Sequence, residues 1–201
     1  MTAYYGDAGI DRYIRGENAT YSDARLTSTS EFDGSVLVVG QKLDGNFLCY
    51  RSPLGFNTSA INDAHNVTSA LLTLTCTGDY SDVDFDLLVA LLSTVTGTRE
   101  TDYDHMLAQA GTSVTWRNTS GIATNTPYSI ALPVSWINKT GYTYLGLISE
   151  EDYNASAPSG NEHIYLAPQS HPTADYRPRL DIETEPIAVV SMHQRRLQGA
   201  A

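Results

Sequence analysis

The chain has 201 residues, 41% of them apolar and 17% charged, with a net charge of −11. A single domain of this size buries roughly two thirds of its unfolded surface, so it needs no metal or disulfide to fold. Lys42 and Lys139 are the only lysines, and the negative field of such a chain excludes nucleic acid and anionic membrane as partners. An anionic polysaccharide is repelled too, unless a cation bridges.

Short alternating segments set off by turn chemistry run along the chain. In order they are Asp11–Arg15, Val36–Val39, Asn46–Arg51, Val67–Cys76, Val83–Leu92, Ser113–Arg117, Pro127–Leu132, Tyr142–Ile148, Glu162–Ala167 and Pro178–Thr184. Thr, Tyr and β-branched residues suit a pleated, half-buried surface, and this spacing predicts an all-β antiparallel sandwich. In Val83–Leu92 the first residues alternate cleanly, with carboxylates on one face and Val83, Phe85 and Leu87 on the other. At most one or two short helices are expected. Thr101–Ala110 is the clearest, with Thr101 or Asp102 as cap and Gly111 ending it, and Val134–Asn138 is a helical turn. Residues 1–185 make one domain on this reading. The stretch 186–201, PIAVVSMHQRRLQGAA, differs in character and reads as a tail or docking arm. Its assembly contacts are expected from Ile187, Val189, Val190, Met192, Arg195, Arg196 and Leu197.

Cys49 and Cys76 lie in strand-like runs and read as buried thiols, with a disulfide open if the strands are neighbours. The first residues, MTAYYGDAGIDRYIRG, lack a basic segment followed by a long apolar core, so no signal peptide is expected. No apolar run reaches the roughly 18 residues of a membrane span. His65, His105, His163, His171 and His193 share no metal spacing and pair with no nucleophile motif, so no catalytic site is expected. The sequons at Asn18, Asn57, Asn66, Asn118, Asn138 and Asn154 reflect a Ser- and Thr-rich composition.

With the strands laid out, a family pattern appears. Asp11–Ile14 precedes TYSDARLTSTSEFDGSVLVVG, and FLCYRSPLGF follows. The match continues through Thr68, Ser69, Ala70, Leu72 and Leu74 of VTSALLTLTC, then VDFDLLVAL, then Val114, Thr115, Trp116 and Asn118. It ends with Arg177, Pro178, Arg179, Leu180 and Ile182. The chain resembles the DNRLRE-type domains, related to family 96 carbohydrate-binding modules, from about Asp11 to Glu183. The resemblance implies a jelly-roll β-sandwich associated with glycans. The EEDYNASAPSG segment and the last residues lie outside the pattern.

Function is therefore sought in binding. Tyr80, Tyr103 and Tyr153 read as loop-borne platforms for sugar stacking, since tyrosine joins an apolar ring face to a polar handle. Trp116 is a further candidate, at a family position that packs inside. Glu150, Glu151 and Asp152 form the best loop-borne oxygen cluster and make calcium the one cofactor to consider. Asp82, Asp84 and Asp86 alternate on a strand, about 6.7 Å apart, too far for all to hold one ion.

Two functions fit. One is a non-catalytic structural or decoration protein of an extracellular assembly, first a phage virion, as capsid decoration or tail accessory. Its partners would be further copies, other virion proteins and host polysaccharide. The other is a carbohydrate-binding module of a secreted or surface polysaccharide-active protein. Both place the chain on a virion or an extracellular surface.

Overall fold

Period-two alternation places Leu54 and Phe56, Leu72 and Leu74, Leu145 and Leu147, and Ile164 and Leu166 on one side of their strands, and all are buried in one core. The computed structural model describes residues 1–187, and every strand pairing in it is antiparallel. One side of the sandwich runs from β1 (Thr2–Tyr5) through β12 (Arg179–Pro186) to β6 (His65–Asp79), with β9 (Pro127–Ala131) on the far edge of β6. Another joins β8 (Val114–Asn118), β7 (Asp86–Leu92), β10 (Tyr142–Ser149) and the second half of β5 (Asn46–Asn57).

The two longest strands turn the corners. The first half of β5 lies between β2 (Arg12–Asn18) and β4 (Leu37–Asp44), whereas Ser52–Asn57 pairs with β10. Strand β6 leaves β12 and β9 to pair at Cys76–Asp79 with β11 (Asn161–Leu166), which continues to β4. Strand β3 (Ser30–Asp33) borders β2. Beyond β1 the chain closes onto β5, through the Gly6–Phe56 bridge and the Asp7 amide on the Gly55 carbonyl at 2.8 Å. Strands that change sheet this way let the layers wrap one apolar interior. Each fully buried Leu or Ile there contributes about 1.5–3 kcal/mol.

The expected all-β sandwich is the fold, and each expected strand is present. Strands β1 and β3, four residues each and largely exposed, carry no apolar alternation and escaped the pattern. Strand β7 begins later than expected. Val83 is 50% exposed in a loop, because the Phe85 amide bonds the Thr119 hydroxyl rather than a ladder partner. Three α-helices occur among the described residues: α1 (Tyr21–Leu26), α2 (Arg99–Gln109) and α3 (Glu150–Tyr153). Helix α2 starts after Thr98, ahead of the expected cap. The Asp102 carboxylate instead takes the Thr96 amide (2.8 Å) and hydroxyl (2.9 Å), the Gly97 amide (3.1 Å) and Arg12 of β2. Helices α1 and α3 are too short to stand alone and are held by tertiary contacts.

Those contacts centre on Arg51, a fully buried side chain of β5. Its guanidinium bonds both carboxylate oxygens of Asp152 (2.7 and 2.9 Å), the Tyr103 carbonyl and the Arg25 carbonyl (2.8 Å each). It also lies 3.8 Å from the Tyr103 ring centroid. One cation thus ties all three helices to the sheet. Cys49 and Cys76 are both buried and free, as the thiol reading expected.

Candidate functional site

On β2, β5, β4 and β11, the residues opposite the buried inner faces of these strands form a second, outward surface. Val38 and Leu48 make its floor. Across it runs a strip of rings. Phe32 of β3 stacks on Tyr13 of β2 with centroids 4.7 Å apart. Tyr13 meets Tyr50 of β5 edge-on at 6.0 Å, and Tyr50 lies 5.6 Å from His163 of β11. His163 stacks on Tyr80 at 5.4 Å, and Tyr165 closes on Tyr80 at 4.7 Å. The strip crosses the strands at right angles. With neighbouring strands about 4.8 Å apart, its length is on the order of 20 Å.

Two glycines shape it. Gly40 of β4 has φ +117°, and a side chain there would meet the Glu162 carbonyl at 2.1 Å, so β4 adds no side chain between Tyr50 and His163. A Cβ on Gly78 would lie 2.7 Å from the Tyr80 ring. Glycine there lets Tyr80 fold back over β6 onto His163.

The ends of the strip are open, with Phe32 39% and Tyr80 50% exposed and Tyr13 and Tyr165 half-buried, whereas Tyr50 and His163 in the middle are buried at 7% each and serve as its base. Burial holds the His163 imidazole down to about 4, helped by the Lys42 charge and opposed by Asp79 and Asp82. His163 is therefore a neutral ring at ordinary pH. Burial also pushes the Tyr13 and Tyr50 hydroxyls up, so both stay protonated. Polar groups border the strip. Arg15 lies 5.2 Å from the Phe32 ring centroid and pairs with Glu17 at 2.9 Å. Lys42 pairs with Asp44 at 2.9 Å, and Asp82 holds Asn161 at 3.2 Å. Neutral rings flanked by hydroxyl-matching donors and acceptors can take the C–H face of a sugar while bonding its hydroxyl groups.

Of the residues expected from the sequence, Tyr80 alone belongs to this strip. Tyr103 is not loop-borne: it sits in α2, wholly buried, with its hydroxyl on the Ala24 carbonyl at 2.9 Å, and no ligand can reach it. Tyr153 ends α3, 40% exposed, beside Gly111 and without ring contact to the strip. Trp116 is 7% exposed and packs in the core, its indole N–H on the Tyr128 carbonyl. The oxygens expected to hold calcium are not a loop cluster. Glu150, Glu151 and Asp152 form α3, and the Asp152 carboxylate is fully buried and engaged by Arg51. Burial pushes the Glu151 carboxyl up to about 7; its own amide opposes this, and Glu162, Glu150 and Asp86 add to it. Among the described residues no three His, Cys, Asp or Glu side chains converge as metal ligands. Ile187 is 45% exposed, and its amide bonds the Ala64 carbonyl. Val189, Val190, Met192, Arg195, Arg196 and Leu197 lie outside the described residues.

Sequence reasoning missed Tyr13, Phe32, Tyr50, His163 and Tyr165. Period-two alternation already sets Tyr13 opposite Ile14, and Tyr165 opposite Ile164 and Leu166. Which strands lie side by side is the missing information. Compared with known proteins, the chain matches no family model and no curated sequence.

Proposed function

We propose that this chain is a non-catalytic glycan-binding β-sandwich whose ligand is an extended neutral polysaccharide lying across the strands of its aromatic face. The strip from Phe32 to Tyr80 carries this reading. Its length suits several sugar rings in a row rather than one. The net charge of −11 favours a neutral chain over an anionic one. The proposed setting is an extracellular assembly, a phage virion first, with a module of a secreted polysaccharide-active protein as the alternative. The resemblance to glycan-associated jelly-rolls and the change of sequence character at 186–201 motivate that choice.

Affinity electrophoresis against soluble neutral polysaccharides, with polygalacturonate as anionic control, tests the reading. Retardation by a neutral polymer is expected. Tyr13→Ala and Tyr80→Ala should each weaken it about tenfold, the equivalent of one lost stacking contact, while Tyr153→Ala leaves it unchanged. Equal effects at Tyr80 and Tyr153, or no retardation by any neutral polymer, would remove the proposal. Light scattering separates the settings, since a monomer that still binds glycan leaves the module and dismisses the assembly.

A further inference from the structure

Strand β7 does not run the full length of its neighbour. Its ladder with β10 stops at the Leu92–Tyr144 pair, while β10 extends back to Tyr142, held on its other side by β5. Beside Tyr142 and Thr143 this leaves a recess of about 200 Å³. Leu92 and Ser93 wall it on one side, and Ser135, Trp136 and Asn138 on the other. The second wall belongs to the turn Val134–Trp136, whose indole is half-buried against the main core. The Asn138 amide bonds the Thr143 hydroxyl at 3.0 Å, and its side chain bonds the Tyr142 carbonyl at 3.2 Å, which fixes that wall to β10.

Three aromatic residues, Trp136, Tyr142 and Tyr144, line this small space. The two tyrosine rings stack at 5.5 Å, 9° from parallel. Groups beyond the recess hold the stack. The Tyr142 hydroxyl donates to the Asp7 carboxylate at 2.7 Å. Gly55 of β5 lets Tyr144 lie against its strand, since a Cβ there would stand 3.3 Å from the Tyr144 ring and 2.4 Å from the end of Ile10. Ser93 and Ser135 are exposed and offer hydroxyl groups to whatever enters. Among the described residues, none that line the recess is charged. Its volume falls below the roughly 300 Å³ at which sites for drug-sized ligands begin, so it admits one small ring. Aromatic residues with hydroxyl and amide neighbours and no charge suit a neutral ring that has an apolar face and a polar rim.

We propose that this recess is a second binding site, taking a single neutral hexopyranose such as the end residue of a glycan. It lies on β7, β10 and the turn at Val134–Trp136, away from the strip on β2, β5, β4 and β11, and it stands or falls independently of that strip.

Titration of the full chain with D-glucose, D-galactose and D-mannose, read by tryptophan fluorescence, tests the site. At least one sugar should give a saturable change with a dissociation constant on the order of 1 mM, the strength that so small a ligand allows. Trp116 is 7% exposed and packed in the core, so the change should vanish in Trp136→Phe. Ser93→Leu, made at an exposed position, fills the recess from its wall and should abolish the response. If that variant melts lower than the parent, Ser135→Leu makes the same test from the opposite wall. Tyr13→Ala and Tyr80→Ala should leave the response intact, whether or not the strip retains a polysaccharide. No saturable change with any of the three sugars, a change that survives Trp136→Phe or a filled recess, or loss of the response in Tyr80→Ala would overturn the proposal.

Discussion

Asp152→Ala removes the partner of the most deeply buried cation in the structure. Arg51 is 0% exposed and donates two hydrogen bonds to this carboxylate, at 2.7 and 2.9 Å. After the substitution it keeps the Tyr103 and Arg25 carbonyls and the Tyr103 ring, but no counter-charge. Stranding a buried charge in this way costs about 3–5 kcal/mol. The Arg25 contact to the same carboxylate, 3.4 Å and nearer the surface, adds little. At roughly 2–4 °C per kcal/mol for a domain of this size, the melting temperature should fall by about 10 °C. Urea unfolding monitored by tryptophan fluorescence gives the free energy directly. The double variant Arg51→Met/Asp152→Leu should recover most of the loss, because apolar replacement of a buried pair is often neutral or better. A cost below about 1 kcal/mol for Asp152→Ala, the range of a surface pair, would refute the reasoning. So would a double variant no more stable than the single one.

Two further outcomes follow from titration and burial. The folded Glu151 carboxyl sits near 7 against an ordinary 4.5, so its contribution to stability is complete below about 4.5 and is lost as pH rises through 7. Glu151→Gln, which copies the protonated form, should flatten the stability profile between those values, gaining about 1 kcal/mol over the parent at the alkaline end once partial exposure is allowed for; parallel profiles would contradict the assignment. Cys49 and Cys76 are 0% exposed and burial pushes both thiols up, Cys76 to about 11. A thiol-reactive disulfide reagent should label neither in the native protein at pH 8 and both after denaturation, and rapid native labelling would show that one of them opens.

Much of the fold was legible because strand alternation is local. Ile14, Leu72, Leu74, Leu87, Leu145 and Ile164 announce their buried faces through their immediate neighbours. The helices were less so. Helix α2 has the length and residues to be seen, but α1 and α3 exist because Arg51 holds the carbonyls of Arg25 and Tyr103 and the carboxylate of Asp152. An arginine in NFLCYRS gives no sign that it will be wholly buried. The shared aromatic surface was hidden for the same reason. Tyr103 and Tyr80 look alike in sequence; one lies beneath a guanidinium and the other folds over Gly78 onto His163.

By itself, then, the sequence determined the all-β class, the inward residues of each strand and an acidic charge, since each depends only on neighbours along the chain or on composition. The tertiary structure decided which tyrosines share a surface, which carboxylates are already paired and which oxygens lack a partner. Those depend on strand order and on contacts between segments far apart in the chain. The strip that joins Phe32 to Tyr80 is assembled from β3, β2, β5 and β11 together with the loop after β6, and no local pattern encodes that order.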